Sequence, residues 1–409
     1  MESLLFLAHR LPYPPNKGDK VRSYHFLGHL ARRYRVLLGT FVDDPADAQH
    51  VPAVRELCAE VQVEAIAPWP QRARSLGALL SGEALSLPYF RSARLAAWAA
   101  EAVRRHGVRK AFVYSSPMAQ YALDLPGLET FVDFVDMDSA KWRDYATRRR
   151  WPASLVYGRE ARCLLDYERR VAARSRASLF VTEEEAQRFR SAAPECAARV
   201  RVIRNGVDAA HFSPAHRFAS PFHPGERAIV FTGAMDYWPN VDAVVWFARE
   251  VLPLIRRSQP SARFYIVGMN PDSSVRALAG GSAVTVTGRV PDVRPYLQHA
   301  AAVVAPLRVA RGIQNKVLEA MAMAKPVVAS AACAAALSAR PGIDLAVASD
   351  AAGFAAATLW AMQSEQAQPM AEQARLRVMR DYAWSSSLRQ LDELFGGADR
   401  PVPQTAMGA

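Results

Sequence analysis

The chain has 409 residues, of which 51% are apolar and 22% charged, and its formal net charge is +12. That much apolar material can bury more than one core, so two domains are expected. The four cysteines, Cys58, Cys163, Cys196 and Cys333, are dispersed with no CxxC pair and no histidine-rich neighbour. This pattern argues against a disulfide framework or a zinc site and fits buried thiols in a reducing compartment. No stretch of about eighteen uncharged apolar residues occurs, which excludes a spanning helix. The positive charge calls for an anionic partner: nucleic acid, lipid headgroups or a phosphorylated small molecule. The basic residues follow no zinc-finger, RNA-binding or basic-arm pattern, which argues against nucleic acid.

In chain order, Leu4 to Ala8 reads as a first strand, and the acidic start followed at once by this pattern marks it as part of the fold and not as a signal peptide. The loop HRLPYPPNKGDK follows, in which prolines stop any helix and Gly18 allows either close approach of a phosphate or an ordinary turn. Lys20 to Arg33 is the next helix, Val36 to Phe41 and Val61 to Ile66 are strands, and Ala53 to Cys58 is a helix between them. The segment Arg72 to His106 sets Leu76, Leu79, Leu80, Leu85, Phe90, Leu95 and Trp98 beside Arg72, Arg74, Arg91, Arg94, Arg104 and Arg105. That composition suits a helix lying on an anionic bilayer, or a packed helix with a solvated basic face.

Strands are expected at Ala111 to Tyr114 and Thr130 to Val135, the second running into DFVDMDSAKW. Asp133, Asp136 and Asp138 raise the question of magnesium, but the spacing is no two-metal motif and no metal is expected. Capping of a helix toward Lys141 and Trp142 is the other reading. A charge-laced helix from Tyr157 to Ser175, strands at Ser178 to Thr182 and Arg201 to Ile203, and the turn Asn205 to Asp208 complete the first half. The proline-bearing stretch His211 to Gly225 is the best boundary, dividing 1–210 from 227–380 with a linker at 211–226.

The second half starts with a strand, Ala228 to Thr232, and then Gly233 in GAMDYWPN. Strands at Ala262 to Val267 and Val284 to Thr287 follow, the latter leading into Gly288, Arg289 and Val290. From Ala300 to Ser330 the sequence reads strand, loop with Gly312, helix and strand, which is one βαβ unit of a parallel sheet. Ligands of such sheets sit beyond the carboxyl ends of the strands. Unpaired N–H groups around Ile313, Gln314, Asn315 and Lys316 suit a phosphate, and Glu319, about one turn on, suits hydroxyls attached to it. Ile343 to Val347 and the helix Ala351 to Met362 close this domain; a terminal helix lies within 381–396 and the residues after it read as loose.

The run K-V-L-E-A-M-A ending in AKPVVAS, with TGRVPDVRPYLQHAAAVVAPL before it and the PPNKGDK loop, resembles the retaining glycosyltransferases of the GT-B fold, glycosyltransferase family four. Within them it is most similar to the exopolysaccharide branch found beside exosortase-type, PEP-CTERM systems. The resemblance implies an α/β architecture of two Rossmann-like domains facing across a cleft, with the terminal helix crossing back. It implies transfer of a sugar from a UDP- or GDP-sugar, without cofactor or metal, to a glycan or lipid-linked acceptor, by a retaining front-face route at the inner membrane of the cytoplasm. Gly18 would then lie in the loop over donor and acceptor, and Lys20, Asp136 and Asp138 on the acceptor side. Gly233, Gly312 and the amides of residues 313 to 315 would hold the diphosphate, Val290 would lie beside the base, Arg289 would serve base or phosphate or pair with a carboxylate, and Glu319 would bind the ribose.

Two departures matter. The first glutamate of the family signature is Arg311 here, and the basic pair expected after Gly233 is replaced by Met235, Asp236 and Asn240. Arg311 and Lys316 are therefore assigned to stabilise the leaving diphosphate, with Lys316 in solvent as the competing account. A sugar-nucleotide-binding scaffold and a GT-B nucleotide-sugar epimerase are the alternative functions. No histidine stands at the end of the Ala111 to Tyr114 strand, so no side-chain base is assigned there.

Overall fold

Strands β1 (Ser3–Ala8), β2 (Arg35–Val42), β4 (Lys110–Tyr114) and β6 (Ala177–Phe180) are buried along nearly their whole length, whereas β3 (Glu60–Ala65) shows a run of half-buried residues. Continuous apolar runs of this kind need cover on both faces, which parallel strands joined by helices provide. With β5 (Glu129–Val135) and β7 (Val200–Val202) they form one parallel seven-stranded sheet, ordered β3-β2-β1-β4-β5-β6-β7. A second parallel sheet joins β8 (Arg227–Thr232), β9 (Ala262–Val267), β10 (Val284–Gly288), β11 (Ala302–Ala305), β12 (Val327–Ser330) and β13 (Ala346–Ala348) in the order β10-β9-β8-β11-β12-β13. The computed structural model describes all residues except 16–17, 68–70, 72–73, 76, 149–150, 281–282, 311–312, 338 and 397–409.

The chain divides into two units, Met1–Arg204 with Leu388–Ala409, and Asn205–Ser387. The division falls after Arg204, ahead of the proline-bearing stretch that the sequence nominated, because the turn beginning at Asn205 already belongs to the second unit. Gly206 shows why: a Cβ there would stand 2.6 Å from the Trp384 ring, and the Val207 N–H donates to the Tyr382 carbonyl at 2.8 Å. The final helix, Trp384–Leu394, is therefore shared by residue, its start grouping with unit 2 and its end with unit 1. Within unit 1, Asp392 accepts from His29 at 2.7 Å and pairs with Arg33 at 2.8 Å, while Phe395 stacks on Phe131 with ring centroids 4.2 Å apart.

The segment whose composition suits either a bilayer surface or a packed helix is packed here. It forms two short turns, Ala78–Ser81 and Ser86–Tyr89, and one longer helix, Ala93–His106, opened by the Ser92 hydroxyl and closed at Gly107. Leu95 is fully buried, and Phe90 and Trp98 pack on the unit 1 core. Gly39 on β2 makes room for this, since a Cβ there would meet Leu95 and Trp98 at 2.9 Å. The arginines are paired too: Arg91 with Glu83, Arg94 with Glu64, Arg104 with Glu101 and Arg105 with Glu60. The apolar face of Ala93–His106 is thus core, and its basic face is matched by carboxylates. Arg72 and Leu76 lie outside the described residues.

Candidate functional site

In unit 2 the strand order reverses direction between β8 and β11, the crevice where open parallel sheets hold ligands. Gly233 follows β8 and Gly268 follows β9, each at φ 156°. A Cβ on Gly268 would stand 1.7 Å from the Gly233 carbonyl oxygen, so the two strand ends approach as only glycine permits. A Cβ on Gly233 would stand 3.0 Å from Lys316 Nζ. The backbone beyond β8 is therefore bare and has an ammonium directly over it.

Lys316 reaches this point from the Asn315–Ala322 helix, which follows β11. Its Nζ donates to Asn240 Oδ1 at 2.6 Å and lies 4.3 Å from the centroid of the Phe231 ring. Asn240 is oriented in turn by donating its Nδ2–H to the Ala234 carbonyl at 2.8 Å. Among the described residues no carboxylate forms an ion pair with Lys316. A cation held only by an amide oxygen and a ring face keeps its capacity to take an anion. Burial pushes its pKa down to about 8, while the nearby Cys333 and Glu319 act to raise it. Glu319, one turn on, is pushed up to about 7 by burial, with Lys316 pulling the other way. Both side chains keep some exposed surface, so they border a crevice and are not sealed in the core.

The first turn of this helix has no side-chain cap at Gln314, and the Asn315 Oδ1 atom is buried without a hydrogen-bond partner. Uncapped amides at a helix start attract anions. Ile313 is buried and Gln314 and Asn315 half-buried beside it. Arg311 and Gly312, assigned from the sequence to the same place, lie outside the described residues. Arg289 and Val290 follow β10, two strands from β8, roughly 10 Å away at the usual strand spacing. Arg289 is exposed, and among the described residues no carboxylate pairs with it. Asp292 accepts the Arg294 N–H at 2.9 Å and so ties the start of the Arg294–His299 helix.

Of the unit 1 residues assigned to the acceptor side, Lys20 is tied up inside the unit, and Asp136 and Asp138 stay partly accessible. Gly18 is the first residue of the helix Gly18–Ala31. Lys20 is buried and its ammonium is held by Asp47 at 2.6 Å, a structural pair and not an exposed contact. Asp136 and Asp138 hold Lys141 between them at 2.9 and 3.0 Å, and stay half-buried. Asp133 is wholly buried against Arg22, which donates at 2.7 and 3.3 Å. The helix Asp138–Arg148 is capped by carboxylates from later in the chain: Glu185 accepts from Met137 N at 2.8 Å, and Glu168 from Ser139 N at 3.2 Å and Ser139 Oγ at 2.5 Å.

Two residues here escaped the sequence reading, and the role of a third, Asn240, was not seen. Asn240 and Gly268 belong to the unit 2 crevice. In unit 1, His9, just past β1, stacks on Tyr114 at the end of β4 with centroids 5.7 Å apart and planes 11° apart. A histidine therefore does stand at the end of β4, supplied by the neighbouring strand. Next to it Ser115 takes φ 77°, and the Ser116 hydroxyl is buried without a partner.

Residues 226–364 match the family model described as glycosyl transferases group 1. The matched stretch holds every residue of the unit 2 crevice described above. The two-sheet architecture is that of the GT-B glycosyltransferases. Anabaena HepE in complex with UDP is similar over 97% of this chain and 100% of its own, at 14% identity and a TM-score of 0.67. Sucrose-phosphate synthase of Thermosynechococcus elongatus is similar over 97% and 98%, at 16% identity and a TM-score of 0.70. WaaG, a glycosyltransferase involved in lipopolysaccharide biosynthesis, is similar over 96% and 100%, at 16% identity and 0.67. At such identities these likenesses speak for the fold alone. No curated protein sequence matches the chain.

Proposed function

We propose that the chain is a retaining glycosyltransferase that moves a sugar from a nucleoside-diphosphate sugar to a glycan or lipid-linked acceptor in exopolysaccharide synthesis, with the acceptor at the inner membrane. The observation that carries the donor half is the ammonium of Lys316, poised over the bare backbone of Gly233 beside an uncapped helix start. The diphosphate would sit there, its negative charge met by Lys316, by Arg311 and by the amides near Ile313 to Asn315. Glu319, one turn on, would accept from the ribose hydroxyls, and the base would extend toward Val290 and Arg289. UDP is the base to test first, because HepE is crystallised with UDP and with UDP-glucose.

Front-face transfer uses the donor phosphate to receive the acceptor proton, so it needs no strand-end base. His9 and the Ser116 hydroxyl, with Asp136 and Asp138, are the unit 1 groups we assign to the acceptor. The test is a thermal-shift series with UDP, GDP and their glucose and mannose derivatives on the wild type and on Glu319→Ala. Stabilisation by one base that the substitution abolishes supports the reading. Absence of any stabilisation, or stabilisation that survives Glu319→Ala, removes it. Release of the nucleoside diphosphate only in the presence of acceptor then separates transfer from scaffolding, and an epimerised donor without acceptor would signal the epimerase.

A further inference from the structure

Where a basic pair is expected after Gly233, the chain carries a neutral amide, Asn240. It is the third residue of the helix Trp238–Trp246 and only 5% exposed, so packing fixes its side chain. That side chain ties two elements together. Its Nδ2–H donates to the Ala234 carbonyl, on the loop past β8, at 2.8 Å, and its Oδ1 accepts from Lys316 Nζ, on the Asn315–Ala322 helix, at 2.6 Å. A Cβ on Gly233 would stand 2.9 Å from Asn240 Nδ2 and 3.0 Å from Lys316 Nζ, so both groups lie against the same bare glycine.

The two partners dictate the residue type. A carbonyl only accepts and an ammonium only donates, so the bridge needs a donor and an acceptor on one short, uncharged group. Aspartate has the right size but would turn lone pairs toward the Ala234 carbonyl and cancel the charge of Lys316. Alanine would leave both partners without their bond, and glutamine is one methylene longer than this buried place admits. Of the three N–H groups of Lys316 one goes to Asn240, and the Phe231 ring, 4.3 Å away, offers only its face. The other donors are kept for an anion. Among the described residues the titratable neighbours of Lys316 are Glu319, on its own helix, and Cys333, on the helix Ala331–Ala335.

We propose that Asn240 is a positioning residue for the donor diphosphate: it aims the Lys316 ammonium at the backbone of Gly233 and, being uncharged, does so without cancelling it. One amide and one lysine thereby stand in for the expected basic pair. The identity of the anion rests on the proposed function; the bridge between Asn240 and Lys316 does not.

The test is a double-substitution cycle on the full chain, with UDP-glucose as ligand, read by titration calorimetry at neutral pH. Asn240→Ala is expected to weaken binding about tenfold in the wild type, the loss typical of a hydrogen bond to a charged group. Once Lys316→Met has removed the ammonium, the same change should weaken it less than about twofold. Equal losses in the two backgrounds would show that Asn240 acts through packing alone and overturn the proposal. Asn240→Asp keeps the size and gives the lysine an anionic partner. It should lower affinity at least as far as Asn240→Ala and move the alkaline limb of binding to higher pH, because a carboxylate holds the proton on Lys316. Wild-type affinity or an unmoved limb in that variant would overturn the proposal too. Labelling of Lys316 by trinitrobenzenesulfonate, followed across pH by peptide mapping, needs no nucleotide. A midpoint raised by Asn240→Asp in a protein that binds no UDP-glucose would uphold the bridge and remove the donor reading, whereas an unmoved midpoint would remove the bridge.

Discussion

Two ionisable groups with opposed displacements border the unit 2 crevice. A donor diphosphate needs Lys316 charged, and its pKa is lowered to about 8. Ribose hydroxyls need Glu319 as an acceptor, and its pKa is raised to about 7. Affinity for UDP-glucose, whose diphosphate keeps its charge over this range, should therefore peak between about pH 7 and 8. It should fall below that window as Glu319 takes up a proton and above it as Lys316 loses one. Lys316→Met should abolish the alkaline limb and Glu319→Gln the acid limb, each lowering peak affinity about tenfold to a hundredfold, the range for hydrogen bonds to charged groups. Titration calorimetry across the range reads both limbs, and a flat wild-type profile would refute the assignment. Glu319 and Lys316 were legible in the sequence because both lie on one short helix after an apolar strand. Gly268 and His9 were not, because each meets its partner, Gly233 or Tyr114, across neighbouring parallel strands far apart in the chain. Asn240 stands where the expected basic pair is missing, and its bond to Lys316 joins two helices that no local pattern connects.

At the scale of elements, the start of the Asp138–Arg148 helix depends on acids delivered by the two helices that follow it. Burial pushes Glu168 up to about 8, against the hydrogen bonds from Ser139. Its folded value lies above the ordinary 4.5, so its contribution to stability is fully present below about pH 4.5 and is lost as the pH climbs to about 8. Glu168→Gln carries no such loss. The stability difference between it and the wild type should therefore move in favour of glutamine as the pH rises from 5 to 8, as denaturant unfolding at several pH values would show. Glu168→Ala, which leaves the buried Ser139 N–H unpaired, should cost about 2–4 kcal/mol. Strands were the most readable elements, as at Ala302–Ala305, where burial on both faces leaves an unbroken apolar run. The basic stretch to His106 was the least readable, because alanine- and arginine-rich periodicity looks the same whether the apolar stripe meets lipid or β2. Only the tight space at Gly39 decides it.

For the molecule as a whole, the two sheets repeat one order of strands, and each unit has its own core. Phe395 is buried in unit 1, packed on Phe131 and near Phe112 and Tyr34. Phe395→Ala should cost unit 1 about 3–5 kcal/mol and leave unit 2 untouched. Scanning calorimetry is expected to show one transition moved down and the transition raised by UDP-glucose unmoved; a shift of both together would mean that the units melt as one. The proline-bearing stretch at 211–226 lies past the division after Arg204, and nothing in DYAWSSSLRQLDELF marks the point at which the chain changes core.

That change of core has a bearing on how the protein is made. The ribosome releases Phe395 and Asp392 only after the whole of unit 2 has emerged, so the first half to be synthesised waits for the last residues before its core can close. The half made second is the first able to finish. Premature termination after Ser387 in the final helix would therefore leave a nascent chain whose later half is complete and whose earlier half still exposes the seat of Phe395.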